Sequence, residues 1–257
     1  MERSSDNVSY LQTAGRAMKV LMLFQNENYL PLSEIAARLD VSPPIAYRLV
    51  YTLKTEGFLY QEPVTKQYGL GDKAILLGFC TAHRHEAKRV TSDLLRDFYA
   101  RTQLSVILTI PCVGQSLCIF SVLSPSTGRR TSMFIGGLYP LYNGASNRVL
   151  LAFMPKAQQE HLIQSFQLPL EEENQLRADL KLAEERGYDF TTGTMTGGLY
   201  SIGFPIYNSS NQLSAGVSTG GLIEDVTEDD IAQQIQEVRL LANQANLRMG
   251  VTRYQYQ

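Results

Sequence analysis

The chain has 257 residues, 44% of them hydrophobic and 19% charged, with a formal net charge of −2, a makeup that excludes a disordered chain and fits one large or two ordinary globular domains. No run approaches the ~18 apolar residues of a membrane span, and the opening MERSSDNVSY lacks the apolar core of a signal peptide, so a cytoplasmic protein is expected. Three cysteines, Cys80, Cys112 and Cys118, are odd in number and sparse, which argues against a disulfide framework and for packed thiols in a reducing compartment.

After a polar arm, residues 10–26 place Ala14, Ala17, Met18, Leu21, Met22 and Phe24 densely enough to predict a buried helix. A second helix is predicted over 32–39, with Ile35, Ala36 and Leu39 inward, and only Asp40 and Val41 separate it from the stretch SPPIAYRLVYTLKTEG at 42–57. That stretch encodes its own boundaries. Ser42 offers an N-cap oxygen, Pro43 takes the first helical position where its missing N–H costs nothing, and Gly57 can turn the chain left-handed past the end. Ala46, Leu49, Val50 and Leu53 recur as a buried stripe, leaving Ile45, Tyr47, Arg48, Tyr51 and Thr52 outward. Two short helices so tightly joined read as a helix-turn-helix. The FLYQ and QYGL segments then flank a Pro-containing, charged turn and read as a hairpin with Lys66 at its tip. Helix, helix, helix, hairpin is the order of a winged helix; an ordinary amphipathic helix beside a plain edge hairpin is the alternative. Residues 1–78 hold eight Lys/Arg against eight Asp/Glu, so DNA binding here needs locally concentrated charge and more than one copy.

The segment DKAILLGFCT from Asp72 runs into the polar stretch 83–89, expected to be a linker helix and domain boundary, and 87–101 form a helix with Val90, Leu94 and Phe98 on one side. Strands are expected at LSVILTIP from Leu104, SLCIFSVL from Ser116 and TSMFI from Thr131, the first two joined as a hairpin across Val113, Gly114 and Gln115. Helices return at 145–154, 156–166 and 171–186, the last with Leu176, Leu180 and Ala183 in step and Gly187 as a stop. YDFTT, YSIGFPIY and LSAGVST are further strands, around the loop GTMTGG at 193–198 and the turn NSSNQ at 208–212. A closing helix over 227–250 turns Ile231, Ile235, Val238, Leu241 and Ala245 inward and carries acidic residues in its first turn, as the helix dipole favours. The fold class is α+β, an antiparallel sheet with helices packed on it.

The order of these segments, and strings such as AGRAMKVLMLF, LPLSEIAARLDVSPPIAYRLVYTLKTEGFL, KQYGLGDKAILLG, IGGLYPLYNGASNRVLLAFMP, ERGYDF and SIGFPIYNSSNQLSAGVSTGG, resemble the isocitrate lyase regulator (IclR) family of bacterial transcription factors nearly end to end. The resemblance implies a winged helix-turn-helix DNA-binding domain over 8–71, a linker helix over 72–88 and a GAF-like effector domain over 89–257. It also implies a homodimer or homotetramer on a palindromic double-stranded DNA operator. Base contacts would then come from Pro44, Ile45, Tyr47, Arg48 and Thr52, with Arg48 suited to guanine and Ile45 to a thymine methyl. Phosphates would be met by Ser42, Lys54 and Lys66. Carried over position by position, the effector pocket comprises Tyr139, Ala145, Ser146, Thr191, Ser201, Ser218 and Gly220. The chain departs from the family at Pro43, Pro44 and Ile45, where small polar or basic residues are commoner. It departs again at Thr191, Thr192, Gly193 and Thr194, where acidic residues are usual, and at Ser201, where Cys is frequent. The pocket becomes neutral and hydroxyl-rich, and a helix N-terminus near Ser146 suits a carboxylate. The expected effector is an anionic or polyhydroxylated metabolite, a small organic, aromatic or sugar acid.

Other functions lack ingredients. There is no GxSxG or GxGxxG, and GTMTGG lacks the Lys and Ser/Thr of a phosphate loop. His83, His85 and His161 sit beside no nucleophile, so no catalytic residue and no cofactor is expected. Cys112 and Cys118 flank a hairpin and His83 and His85 have i, i+2 spacing, but four-ligand zinc spacing is absent and no metal is expected. The alternative is a GAF-like small-molecule-binding interaction protein, or an enzyme, carrying an accessory winged helix.

Overall fold

The computed structural model describes residues 10–25, 27–125, 133–193 and 197–251, and the chain divides into two units, Met1–His83 and Arg84–Gln257.

The first unit contains α1 (Gln12–Met22), α2 (Leu32–Arg38), α3 (Pro43–Thr55), β1 (Leu59–Gln61), β2 (Tyr68–Leu70) and α4 (Asp72–Arg84). Two apolar ridges compete on α1. The ridge that enters the core is Ala17, Val20, Leu21 and Phe24, at i, i+3, i+4 and i+7. Ala14, Met18 and Met22, expected inward, lie on the other ridge and face out, Met18 being 62% exposed. Val20 and Phe24 pack with Leu30, Ile35, Leu49, Val50, Leu53, Leu59 and Tyr68.

α3 starts at Pro43 after an extended Ser42, but the Ser42 side chain makes no capping hydrogen bond, contrary to expectation; with Pro at the first position, one orphan N–H is already missing. Its end is a Schellman turn: Gly57 at φ +77° lets Phe58 N–H reach Leu53 O at 2.8 Å and Gly57 N–H reach Lys54 O at 3.0 Å. β1 and β2 pair antiparallel with Leu59 opposite Leu70 and Gln61 opposite Tyr68. Leu30 exchanges backbone hydrogen bonds with Tyr68, tying the wing to the segment before α2. The segment 72–88 is not one helix: α4 ends at Arg84, His85 is extended (φ −63°, ψ 117°), and α5 begins at Glu86.

The second unit contains α5 (Glu86–Thr102), β3 (Ser105–Cys112), β4 (Gln115–Val122), β5 (Leu138–Tyr139), α6 (Ala145–Phe153), α7 (Lys156–Phe166), α8 (Leu170–Arg186), β6 (Asp189–Thr192), β7 (Leu199–Tyr207), β8 (Leu213–Leu222), a 3-10 turn at Ile223–Asp225 and α9 (Glu228–Arg248). Its sheet has the order β5-β4-β3-β8-β7-β6, with every neighbouring pair antiparallel. Strand alternation sorts the residues. Val106, Leu108 and Ile110 of β3 and Tyr200, Ile202, Phe204 and Ile206 of β7 form one core with α5 and α9. In α5 the deepest residues are Ala87, Thr91, Leu95 and Phe98, with Val90 and Leu94 partly buried at the edge of that core.

The opposite face of the sheet carries α6. Its first turn lies directly on the sheet backbone because two strand positions are glycine. A Cβ at Gly203 would stand 2.5 Å from the Ala145 carbonyl, and one at Gly216 would stand 2.2 Å from the Ser146 carbonyl oxygen. α6 then packs outward on α7 and α8 through Leu150, Leu151, Ile163, Leu176, Leu180 and Ala183. α8 stops at Gly187, φ +76°. α9 begins in a reciprocal capping box between Thr227 and Asp230.

Three further expectations change. Residues 131 and 132 of the expected strand TSMFI lie outside the described residues, and Met133–Ile135 is irregular chain leading into a turn at Ile135 and Gly136. The β3–β4 turn is only Val113 and Gly114, at φ +48° and +74°, with Gln115 already paired to Cys112. Of the cysteines, Cys118 is buried, its thiol pushed up to about 12 by burial, while Cys80 is exposed rather than packed. Cys112 and Cys118 stand opposite Gln115 and Thr109, not each other. Among the described residues there is no cluster of three potential metal ligands and no helix long and apolar enough to cross a membrane.

Candidate nucleic-acid interface and ligand cavity

Ser42, Pro44, Ile45, Tyr47, Arg48, Thr52, Lys54 and Lys66 are all exposed. With Ala46, Leu49, Val50 and Leu53 buried, helical geometry puts Pro44, Arg48 and Tyr51 opposite the core, Ile45 and Thr52 on one flank, and Tyr47 and Lys54 on the other. The first flank adjoins α1 across a cleft that Ile45, Arg48 and Thr52 share with it. The second leans on the wing: Lys54 Nζ donates to Gln61 Oε1 at 3.2 Å, and burial followed by the nearby Tyr47 phenol raises the Tyr68 hydroxyl pKa. The Thr52 hydroxyl donates to Arg48 O at 2.9 Å, so toward a base it is an acceptor. Lys66 tips the wing at φ +58°, in a turn closed by its N–H on Glu62 O at 3.0 Å. Two backbone N–H groups, of Thr65 and Val64, hold the Glu62 carboxyl below the usual range. Tyr51, 59% exposed at the centre of the face, belongs to this surface although it was absent from the expected contacts. Its ring lies 6.1 Å from that of Tyr47. The i, i+7 relation to Pro44 and i, i+3 relation to Arg48 were already visible in the sequence.

In the second unit, Ala145, Ser146, Thr191, Ser201, Ser218 and Gly220 line one cavity of about 50 Å³, together with Ser105, Ile107, Met133, Gly144, Leu199, Tyr200 and Thr219. At roughly 12 Å³ per water-sized group it has room for about four. Tyr139, the seventh expected residue, does not line it. Its ring is buried with Ile107, Cys118 and Met133, and its hydroxyl accepts the Phe134 N–H at 2.9 Å. Tyr139 therefore backs the wall formed by Ile107 and Met133. Thr194 of the expected neutral run lies outside the described residues.

The cavity sits where the N-terminus of α6 meets β3, β6, β7 and β8, and among the described residues no charged side chain lines it. Some of its hydroxyls are committed: Thr219 Oγ1 donates to Ser105 O at 2.6 Å, and Ser105 Oγ accepts the Ser124 N–H at 2.9 Å. Ser146, Thr191 and Ser218 are 2%, 5% and 2% exposed, and with half-buried Ser201 their hydroxyls have no hydrogen-bond partner among the described residues. Buried hydroxyls are ordinarily paired. Four uncommitted ones converging on a cavity, beside the first N–H groups of a helix, form a site for a polar or anionic ligand.

A buried ion cluster lies two residues along the same elements. Arg148 Nη2 donates to Asp189 Oδ1 at 3.2 Å, its Nε stands 3.0 Å from Oδ2 at an angle too poor for a hydrogen bond, and Nη1 reaches Asp179 at 3.1 Å. Burial pushes the Asp189 carboxyl up to about 6 despite Arg148. Arg148 follows Ser146 by two residues and Asp189 precedes Thr191 by two, so the pair joins α6 to β6 beside the cavity. Neither residue was singled out in the sequence, where a lone Arg in an apolar run and an Asp opening a strand look incidental.

Residues 13–63 match the family description IclR helix-turn-helix domain, and residues 79–246 match bacterial transcriptional regulator IclR C-terminal. The chain is 24% identical to the HTH-type transcriptional regulator KipR of Bacillus subtilis, over 94% of this chain and 98% of that one. It is 25% identical to the glycerol operon regulatory protein of Streptomyces griseus, over 95% and 98%. Its fold matches that of an IclR homolog complexed with 4-hydroxybenzoate from Microbacterium hydrocarbonoxydans, with a TM-score of 0.77 at 19% identity, covering 92% of this chain and 98% of that one. With both halves of the chain matched in order, it belongs to the IclR family of bacterial transcriptional regulators, as a DNA-binding regulator and not an enzyme.

Proposed function

We propose that this regulator reads a palindromic operator with α3 and that a small acid bound at the N-terminus of α6 controls the binding. Pro44, Ile45, Tyr47, Arg48 and Thr52 contact bases, with Arg48 bidentate to a guanine, and Ser42, Lys54 and Lys66 contact phosphates. The support is a solvent-facing α3 surface whose central Arg48 guanidinium has no partner among the described residues. Binding of the operator by gel shift, weakening steeply with salt, tests this reading; no binding at low salt refutes it and favours an interaction protein.

The effector is a small organic, aromatic or sugar acid, its carboxylate on the Ala145 and Ser146 N–H groups and its remaining oxygens on the Thr191, Ser201 and Ser218 hydroxyls. The observation that carries this is the set of four hydroxyls at one cavity with no hydrogen-bond partner among the described residues. The cavity volume of about 50 Å³ favours the small end of that class. An aromatic acid, such as the 4-hydroxybenzoate bound by the Microbacterium homolog, requires it to widen. A thermal-shift titration against small acids and amines tests the class, and a response confined to cationic amines refutes it. The protein acts in the cytoplasm as a homodimer or homotetramer, with 72–88 linking a DNA-binding domain over 8–71 to an effector domain over 89–257. Exposed Ile75, Leu76 and Leu77 on α4 and Met18 and Met22 on α1 supply apolar surface for self-association. Light scattering of the purified protein reads its mass directly, and a monomer refutes the assembly.

A further inference from the structure

The first unit has no excess of positive charge by composition, yet its charges are segregated by pairing. Arg38 is taken up by Glu34 and, at 3.3 Å, by Glu27, and Lys73 stands 4.0 Å from Glu56. Arg16 and Arg48 have no ion-pair or hydrogen-bond partner for their guanidinium groups among the described residues. Both line the same cleft, an open groove of about 640 Å³ between the first turns of α1 and the flank of α3. Among the described residues its other walls are neutral, with Gln12, Thr13 and Ala17 on one side, Ile45 and Thr52 on the other, and no carboxylate.

We infer that this cleft is a second DNA-binding element, a seat for the sugar-phosphate backbone of the operator strand flanking the groove that α3 enters, and that Arg16 is its phosphate-binding residue. The proposal rests on the reading of α3 as the DNA-reading helix, because it takes the cleft as continuous with that face. Charge complementarity selects the occupant. Two guanidiniums unpaired among the described residues, in a cleft whose described lining has no acid, fit an anionic chain, and their fork geometry fits phosphate oxygens. The roles divide by position. Arg48 stands nearly opposite the buried stripe of α3, where base edges are met, and Arg16 stands on the α1 wall, beside the strand. The charges of this domain are unevenly placed: Glu27 and Glu34 pair with Arg38 and Glu56 with Lys73, whereas Arg16 and Arg48 face the cleft.

The test is fluorescence anisotropy of the full-length protein on its own upstream duplex and on a scrambled duplex between 50 and 200 mM salt, as estimates of the range in which counterion release is read. Arg16→Gln should weaken binding to both duplexes by the same factor and lower the slope of log K against log salt by about 0.9 for each Arg16 that meets a phosphate. Arg16→Lys should keep the slope while losing part of the affinity, since a point charge replaces the fork. Arg48→Ala, as the companion, should change the discrimination between the two duplexes. An unchanged slope in Arg16→Gln with a lowered melting temperature makes Arg16 a structural residue and overturns the inference while leaving the α3 reading intact. Loss by Arg16→Gln on the upstream duplex alone makes it a base contact and also overturns it. If neither Arg16→Gln nor Arg48→Ala alters binding, both the cleft and the α3 reading fail.

Discussion

Replacing Arg148 by Met leaves Asp189, 3% exposed, without its cation. Removing one partner of a buried ion pair typically costs about 3–5 kcal/mol, because the remaining charge is neither solvated nor compensated. For a unit the size of Arg84–Gln257, about 2–4 °C per kcal/mol converts this to a fall of roughly 6–20 °C in the melting of that unit. The pH dependence has a definite sign. Burial already raises the folded pKa of Asp189 to about 6 from its ordinary value of 3.8, so its contribution to stability is present below the unfolded pKa and is lost as pH rises through the folded one. That shift amounts to about 3 kcal/mol between roughly pH 4 and pH 6. Without Arg148 the folded pKa rises further, so Arg148→Met should be most destabilised at pH 7.5 and recover part of the loss at pH 5. Arg148→Met with Asp189→Leu should recover most of the loss at both pH values, because an apolar pair removes both desolvation costs. Differential scanning calorimetry of the four proteins completes the cycle. A single variant within about 1 kcal/mol of the parent, or a double variant as unstable as the sum of two singles, refutes the account of the cluster.

Three further outcomes follow from the geometry. Gly216→Ala places a methyl 2.2 Å from the Ser146 carbonyl oxygen and should cost about 1–3 kcal/mol while displacing the first turn of α6; calorimetry and ligand-induced thermal shift should fall together, and an unchanged shift contradicts the role given to that contact. Val113→Asn should raise the melting temperature, since Val113 holds φ +48° in an exposed two-residue hairpin where a β-branched residue is strained by about 1 kcal/mol and Asn is favoured. Arg48→Ala should cost about 1–3 kcal/mol at one base pair and leave nonspecific binding mostly intact. Affinity lost equally on every sequence makes Arg48 a phosphate clamp instead.

The reading helix was legible because its information is local: the apolar stripe Ala46, Leu49, Val50 and Leu53, the Pro43 start and the Gly57 stop are all within one segment. The strands of the second unit were legible from alternation, but not which face of each strand meets α6. Ile107 and Thr219 therefore escaped notice as cavity lining, while Tyr139, carried over from the family resemblance, lies behind that lining. Gly203 and Gly216 are ordinary strand glycines until α6 is laid on them. α1 misled because both of its ridges are apolar, and only packing on α3 selects Val20 over Met18. Charge was misleading for a related reason. A tally of Lys/Arg and Asp/Glu cannot register that Arg38 is neutralised by Glu27 and Glu34 while Arg16 and Arg48 share a cleft.

The central claim is that occupancy of the cavity at the N-terminus of α6 changes the affinity of α3 for DNA. Its most direct measurement is the operator dissociation constant with and without the acid giving the largest thermal shift, in the parent protein and in Ser146→Ala with Ser218→Ala. Those two hydroxyls line the cavity of the second unit and belong to residues that are 2% exposed. The predicted result is a ligand-dependent change of affinity in the parent protein that is lost in the double variant, with ligand-free operator binding preserved. A variant that still responds to the same acid as the parent does contradicts the assignment of the cavity as the controlling site.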